Sequence, residues 1–243
     1  MRIVFFGTSH GVPEANQSCS CILLEVGERR YFIDMGRDPN VPLKTRRIPF
    51  ESVKAVFITH MHTDHTDGLI PFLGLCSWYY TKADPHIYLP DRVEETAAIL
   101  SAWMTNSGLP KMGDFSFSRI REGLFYEDEA IRITAYPTKH IAVSYAFLVE
   151  AEGKRVLFGG DLSHRPQEDF PKEVLQKPLD LAICESAHFA ATEYLPIFKG
   201  CDNLKKLCIT HYSDRFLASV LELTQALPEI PVLRANDGME IVL

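Results

Sequence analysis

Short apolar blocks, each closed by glycine, proline or a polar cluster, recur along the chain and divide it into elements. Blocks of four to eight residues rich in β-branched and aromatic side chains read as buried strands; longer apolar stretches read as helices. The first half is expected to hold strands near 2–6, 20–26, 30–34 and 53–58, a helix over 66–80, a strand over 86–89 ending at Leu89-Pro90, and a helix over 92–105. The second half reads as strands near 114–120, 130–136, 144–151, 155–159 and 179–184, a helix around 193–200, a strand over 206–210, a helix over 215–226 and a short final strand over 239–242. Residues 37–49 carry three prolines and mixed charge and are expected to be a loop beside the functional site. Periodicity alone therefore gives a mixed α/β chain in two strand-rich halves, each with flanking helices, and no low-complexity linker.

The run His60-Met61-His62-Thr63-Asp64-His65 puts four metal-ligating side chains within six positions, between the apolar run Val53 to Ile58 and the apolar stretch Leu69 to Tyr80. Imidazole nitrogen and carboxylate oxygen together suit zinc, and they also accept manganese or iron. His60 and His62 are two apart, so in an extended segment both point to one side and can share an ion. Asp64 and His65 lie past the bend and can face a second ion. Three later blocks repeat the plan of strand, turn and ligand: 130–136 leads to His140, Val156 to Gly160 leads to Asp161, and Leu207 to Thr210 leads to His211. Four ligand groups on one plan predict a two-metal site at the carboxyl ends of strands, where open α/β sheets place their sites.

Composition narrows the substrate. The 243 residues are 46% apolar, which fits one domain, 1–243, with a substantial core. Lys and Arg number 25 against 32 Asp and Glu, a net charge of −7, whereas a protein gripping long RNA carries a basic face. Lys44-Thr45-Arg46-Arg47 and Lys205-Lys206 read as solvated loop charge. The balance favours a small substrate, with two divalent ions to attract a phosphate locally. Cys19, Cys21, Cys76, Cys184, Cys201 and Cys208 lack Cys-x-x-Cys spacing, and several sit inside apolar runs as buried thiols do. A reducing cytoplasm follows as the expected location. Met1-Arg2 leads straight into a strand, so no secretory leader is expected, and no apolar stretch is long enough to span a bilayer.

These motifs resemble the metallo-β-lactamase superfamily of binuclear metallohydrolases, and within it the ribonuclease Z group and its small phosphodiesterase relatives. Phe6 to Pro13 is similar to the family's opening Gly-Thr loop, Ser20 to Glu25 with Phe32 to Gly36 to its next hairpin, and Thr59 to Gly68 to its metal-binding segment. His140, Gly160-Asp161 and Thr210 to Ser213 fill the later motifs, and Ala235 to Glu240 resembles the closing Ala-x-Asp-Gly-Met segment of ribonuclease Z. The resemblance implies a four-layer αββα sandwich. It implies that His60, His62 and His140 hold one metal, that Asp64, His65 and His211 hold the other, and that Asp161 bridges them. Asp34 would hold a ligand imidazole or the backbone in orientation; a plain strand-end turn is the competing reading. Relatives also imply a homodimer.

Two departures bear on activity. Ribonuclease Z usually carries a long tRNA-clamping arm between the third-motif His and the bridging Asp; here only residues 141–160 separate His140 from Asp161 and read as a hairpin. The family's His-Glu-Ala/Ser-Thr run, whose His moves a proton, is here Cys184-Glu185-Ser186-Ala187-His188, with the poor shuttle Cys184 in the His position.

The expected mechanism is attack on phosphorus by a hydroxide held between two ions about 3.5–4 Å apart, with Asp64 orienting it. The leaving alkoxide needs a proton, for which His188 and His164 are candidates and His10 a third; His86, before a buried strand, reads as structural. The favoured function is a zinc-dependent phosphodiesterase acting on a small or cyclic phosphodiester. The competing readings are a ribonuclease Z-type tRNA 3′-end endonuclease acting on RNA, a thioester or lactone hydrolase, and a non-catalytic metal-binding scaffold.

Overall fold

The computed structural model describes residues 1–108 and 115–243. One sheet takes β1 (Arg2–Gly7), β2 (Cys21–Val26), β3 (Arg29–Met35), β4 (Val53–Phe57), β5 (His86–Leu89) and β6 (Phe117–Arg119) in sequence order. The other takes β7 (Gly123–Glu127), β8 (Arg132–Pro137), β9 (Tyr145–Ala151), β10 (Lys154–Phe158), β11 (Leu181–Ser186), β12 (Leu207–Tyr212) and β13 (Val232–Arg234). β14 (Glu240–Val242) returns to the first sheet and pairs antiparallel with β1. Both sheets share a design: antiparallel neighbours give way to parallel ones, β3 through β6 in the first and β10 through β13 in the second. The parallel strands therefore direct their carboxyl ends, and the loops after them, to one edge.

Six helices are described: α1 (Asn40–Thr45), α2 (Thr63–Thr66), α3 (Leu69–Trp78), α4 (Val93–Asn106), α5 (Leu195–Phe198) and α6 (Leu217–Ala226). Alternation along the strands sorts the apolar residues into three cores. Ile3 and Phe5 of β1 face between the sheets, with Phe57, Phe147 and Phe158. Val4 and Phe6 face the other way, onto Phe72 and Leu73 of α3. Leu157 of β10 and Ile209 of β12 pack beneath Phe198 of α5 and Leu223 of α6. Three cores between layers make the four-layer αββα sandwich that the resemblance implied.

Several elements differ from expectation. The helix expected over 66–80 is realised as α3 from Leu69, separated from the turn α2, because Gly68 N–H bonds Met35 O at 2.7 Å instead of continuing a helical ladder. A Cβ on Gly68 would lie 2.1 Å from Arg37 O, so the break needs glycine. Residues 37–49 are not a plain loop: α1 forms there and buries Leu43, while Arg37 reaches Phe6 O at 2.5 Å and Asp237 at 3.4 Å. The helix expected around 193–200 is a 3-10 turn, Ala191–Tyr194, running into α5. β11 and β12 run two residues past their expected ends, and edge strands β7 and β13 had no expected counterpart. The strand expected over 114–120 begins outside the described residues and is realised as β6. The stretch between His140 and Asp161 is the short hairpin of β9 and β10, as expected.

Candidate metal centre

After β4 the chain turns at Ile58-Thr59, where Thr59 donates to the Asp34 carboxylate through its N–H at 2.8 Å and its hydroxyl at 3.0 Å. That anchor delivers His60, which is fully buried. His62 caps the single turn α2, and α2 carries Asp64 and His65. The turn packs so closely that a Cβ on Gly36 would sit 1.6 Å from Asp64 O. From the second sheet, His140 follows β8 and Asp161 follows β10 through Gly159-Gly160. Gly160 has φ +59°, and a Cβ there would lie 2.6 Å from Tyr145 O. His211 departs from the expected plan of strand then turn. It lies inside β12, where the register with β11 slips, and its φ of +46° marks the extra residue that turns its side chain to the centre.

All seven expected ligands come together. His60 Nε2 is 3.0 Å from His62 Nδ1, which is 3.2 Å from His140 Nε2. Asp161 Oδ2 lies 3.7 Å from both His60 Nε2 and His140 Nε2. On the other side His65 Nε2 is 3.5 Å from Asp64 Oδ2 and from Asp161 Oδ1. His211 Nε2 is 3.7 Å from Asp64 Oδ2 and 3.3 Å from Asp161 Oδ2. Donors around a tetrahedral zinc, with bonds of about 2.0–2.2 Å, stand roughly 3.3–3.6 Å apart, so these spacings suit coordination spheres. The three imidazoles His60, His62 and His140 form one group, and Asp64, His65 and His211 another. Asp161 lies between them.

The polar accounting also calls for a cation. His65 Nε2 and Asp161 Oδ1 are buried with no hydrogen-bond partner. Such atoms are costly unless something else satisfies them. His65 gives its other nitrogen, Nδ1, to Asp34 Oδ2 at 2.8 Å, which fixes the orientation of this candidate ligand. Burial, then the nearby His65, pushes His60 down to about 2, so its ring is a neutral lone-pair donor. Asp161 is held well below the usual carboxylate range; burial opposes this, but His211 and His65 outweigh it. A neutral His60 beside an ionised Asp161 is the pair of forms that binds divalent metal.

Of the proton-donor candidates, His188 lies at the centre. Its ring is 4.6 Å from that of His140 and 6.4 Å from that of His211. Its Nδ1 sits 2.9 Å from both Glu185 oxygens. Glu185 is itself fixed, accepting from Leu162 N at 2.8 Å and Ala187 N at 3.0 Å. His188 is raised from its ordinary value; burial opposes this, and the Glu185 hydrogen bond and charge prevail. Glu185 had no assigned role in the sequence reading. Its signal was its place three residues before His188, where β11 ends at Ser186 and the chain turns. His164 stands behind His188, its Nδ1 on His188 O at 2.9 Å, and joins none of the ligand groups. His10 pairs with Glu14 at 3.3 Å and likewise joins none. His86 bonds Ser118 Oγ at 2.8 Å between β5 and β6, as a structural residue would. Cys184 faces the helix-side core, where burial pushes its thiol up, so it is no proton shuttle.

Residues 1–222 match the family described as Anti-Pycsar protein Apyc1. A ribonuclease Z of Bacteroides thetaiotaomicron is 26% identical over 144 residues, covering 59% of this chain and 46% of that protein. The chain thus spans about half the length of the curated relatives it matches. The metallo-β-lactamase fold protein YhfI of Bacillus subtilis superposes with a TM-score of 0.78 at 19% identity, covering 99% of this chain and 98% of that one. The short form of human tRNase Z, ELAC1, superposes with 0.74 at 20% identity, covering 100% and 99%. These likenesses establish the metallo-β-lactamase fold.

Proposed function

We propose, on the premise that this chain belongs to the Anti-Pycsar protein Apyc1 family, that it is a binuclear metal-dependent hydrolase cleaving a small or cyclic phosphodiester. The observation that carries the reading is the pair of ligand groups joined through Asp161, with His188 beside them on a fixed carboxylate. His60, His62 and His140 would hold one divalent ion and Asp64, His65 and His211 the other, with Asp161 shared. Zinc suits this nitrogen and oxygen set; manganese and iron are accepted by the same donors. Bound there, the ions would supply Lewis acidity toward a phosphoryl oxygen and make water a nucleophile near neutral pH. Asp64 Oδ2, facing both His65 and His211, orients the attacking water. His188 holds a proton on the ring that Glu185 steadies and delivers it to the leaving oxygen; His164 buttresses the His188 backbone.

A ribonuclease Z-type tRNA 3′-end endonuclease is the second reading, supported by the closing segment Ala235 to Met239 and by the named relatives. The short β9–β10 hairpin, the net charge of −7 and the buried Cys184 weigh against it. Six unpaired cysteines support a cytoplasmic location. Among the described residues no helix is long and apolar enough to cross a membrane. The exposed Trp78 and Tyr79 of the α3 end and Trp103 of α4 support a homodimer, which light scattering in solution tests.

The deciding experiment is a substrate panel of bis-nitrophenyl phosphate, cyclic nucleotides, precursor tRNA and a thioester, run with and without chelator, alongside metal analysis. Chelator-sensitive turnover of the small diesters is expected. Preference for precursor tRNA or the thioester overturns the substrate class; metal without any turnover leaves a binding scaffold.

A further inference from the structure

We infer that Asp169 is a positioning residue that locks His140 against Asp161, and so sets the geometry of the ion that His60, His62 and His140 would hold. This inference rests on the metal-dependent reading above. The Asp169 side chain belongs to neither ligand group and lies in no expected motif. It is 8% exposed, and its Oδ2 accepts two backbone N–H groups: Lys139 at 2.9 Å and Ser163 at 2.9 Å. Lys139 immediately precedes His140, and Ser163 follows Asp161 by two. One oxygen therefore ties together the two loops that carry ligands from β8 and β10. The other oxygen, Oδ1, accepts from Ser163 Oγ at 3.1 Å.

The clamp has a rigid base. Phe170, the next residue, is buried and packs edge-on against Phe198 of α5 at 5.2 Å. The position of the helix-side core is thus passed through one carboxylate to the His140 backbone. His140 needs such a tie, because residues 139–143 are exposed or half-buried. Thr138 secures only the base of that loop, donating to Asp161 O at 3.0 Å and pairing with Ser144 Oγ at 2.6 Å. Without Asp169, two N–H donors next to ligands lose their acceptor together, and the loop that bears His140 is free to relax away from His62.

The bonding pattern also says which substitution is harmless. An asparagine that keeps its oxygen at the Oδ2 position retains both backbone bonds. Its amide then faces Ser163 Oγ, which can accept it while donating to Arg165 O at 3.2 Å. The clamp works by geometry and not by charge.

The test is titration of the full chain, stripped of metal, with zinc against a competing chromophoric chelator, and with cobalt(II) followed by its visible absorption. Wild type is expected to take two ions. Asp169→Ala is expected to keep one tight and weaken the other by about 10–100-fold, with an altered cobalt spectrum; Asp169→Asn should hold both within about threefold of wild type. Should Asp169→Ala fail to fold, Asp169→Ser, whose oxygen is too short to reach both donors, carries the same test. Both ions at wild-type affinity in Asp169→Ala, equal loss of both ions, or an Asp169→Asn as weak as Asp169→Ala each overturn the clamp while leaving the metal reading intact. A wild-type chain that takes up no ion removes the metal reading and the clamp with it.

Discussion

His65 Nδ1 lies 2.8 Å from Asp34 Oδ2, both groups are buried, and the contact commits one ring nitrogen so that only Nε2 remains for the centre. An ionised carboxylate only accepts, so Nδ1 carries a proton, and in the neutral ring the lone pair falls on Nε2. The same Asp34 accepts the Thr59 N–H at 2.8 Å on its other oxygen, which couples the turn before His60 to the orientation of His65.

Asp34→Asn should therefore be far from conservative. With its oxygen kept by the Thr59 N–H, its amide donates toward His65 Nδ1 and forces the wrong tautomer, with a proton on Nε2. The ion held by Asp64, His65 and His211 should weaken by roughly 10–100-fold while the fold persists. Competition with a chelator, with circular dichroism as the control for folding, measures this. Wild-type affinity for both ions would show that Asp34 merely closes a turn.

His62→Ala and Asp161→Ala should both reduce phosphodiester turnover to background with the fold retained, and they should differ in metal content. His62 touches one ligand group, so one ion per chain should survive; Asp161 lies between the groups, so both should be lost or weakened. Elemental analysis after gel filtration separates the two outcomes. Turnover near the wild-type rate by either variant, free of contaminating enzyme, counts against the site.

The ligands were legible in the sequence because each follows an apolar run, although His211 proves to lie inside its strand, and the His60 to His65 run compresses four of them into one turn. The αββα architecture was not legible from periodicity: the central strands are buried on both faces and lack alternation. It came from the resemblance. Edge strands β7 and β13 escaped because each has a single neighbour and half-exposed residues that give no pattern. The break at Gly68 escaped because it depends on an N–H drawn to Met35 O, a contact distant in sequence. The bulge at His211 escaped because one extra residue in a strand leaves the composition unchanged. Asp169 gave no sequence signal at all, since the partners that join the two loops are backbone amides.

Far from the centre, Asp128 ties the two sheets together. Its carboxylate accepts from Tyr31 OH of β3 at 2.6 Å, Tyr126 OH of β7 at 2.9 Å, and the N–H groups of Ala130 at 2.8 Å and Ile131 at 2.9 Å. Asp128→Ala strands two tyrosine hydroxyls and two amides and should cost about 2–4 kcal/mol at pH 7. The Asp128 carboxyl is lowered: burial opposes this, but the Tyr31 and backbone hydrogen bonds win. A depressed folded value means that its stabilisation is present above the unfolded carboxyl value of about 3.9 and is lost as pH falls through the folded value. The stability gap between wild type and variant, from urea unfolding, should thus be widest near neutrality and shrink in acid. A gap independent of pH would assign the loss to packing alone.

His188 and Glu185 form the last testable pair. If His188 protonates the leaving oxygen, His188→Ala should cost about 10²–10⁴-fold on a diester with an alkoxide leaving group and far less on one releasing nitrophenolate, which needs no proton. Equal losses on both substrates remove His188 as the acid. Glu185→Gln refines the point. Its carboxylate is what raises His188 against burial, so neutralising it should lower the His188 value. A general acid is active while protonated, and activity falls as pH rises through its value. The basic limb of the kcat profile should therefore move to lower pH in Glu185→Gln, with the acid limb unmoved. A fall in kcat at every pH with both limbs in place would mean that Glu185 only supports the Leu162 and Ala187 amides it accepts from.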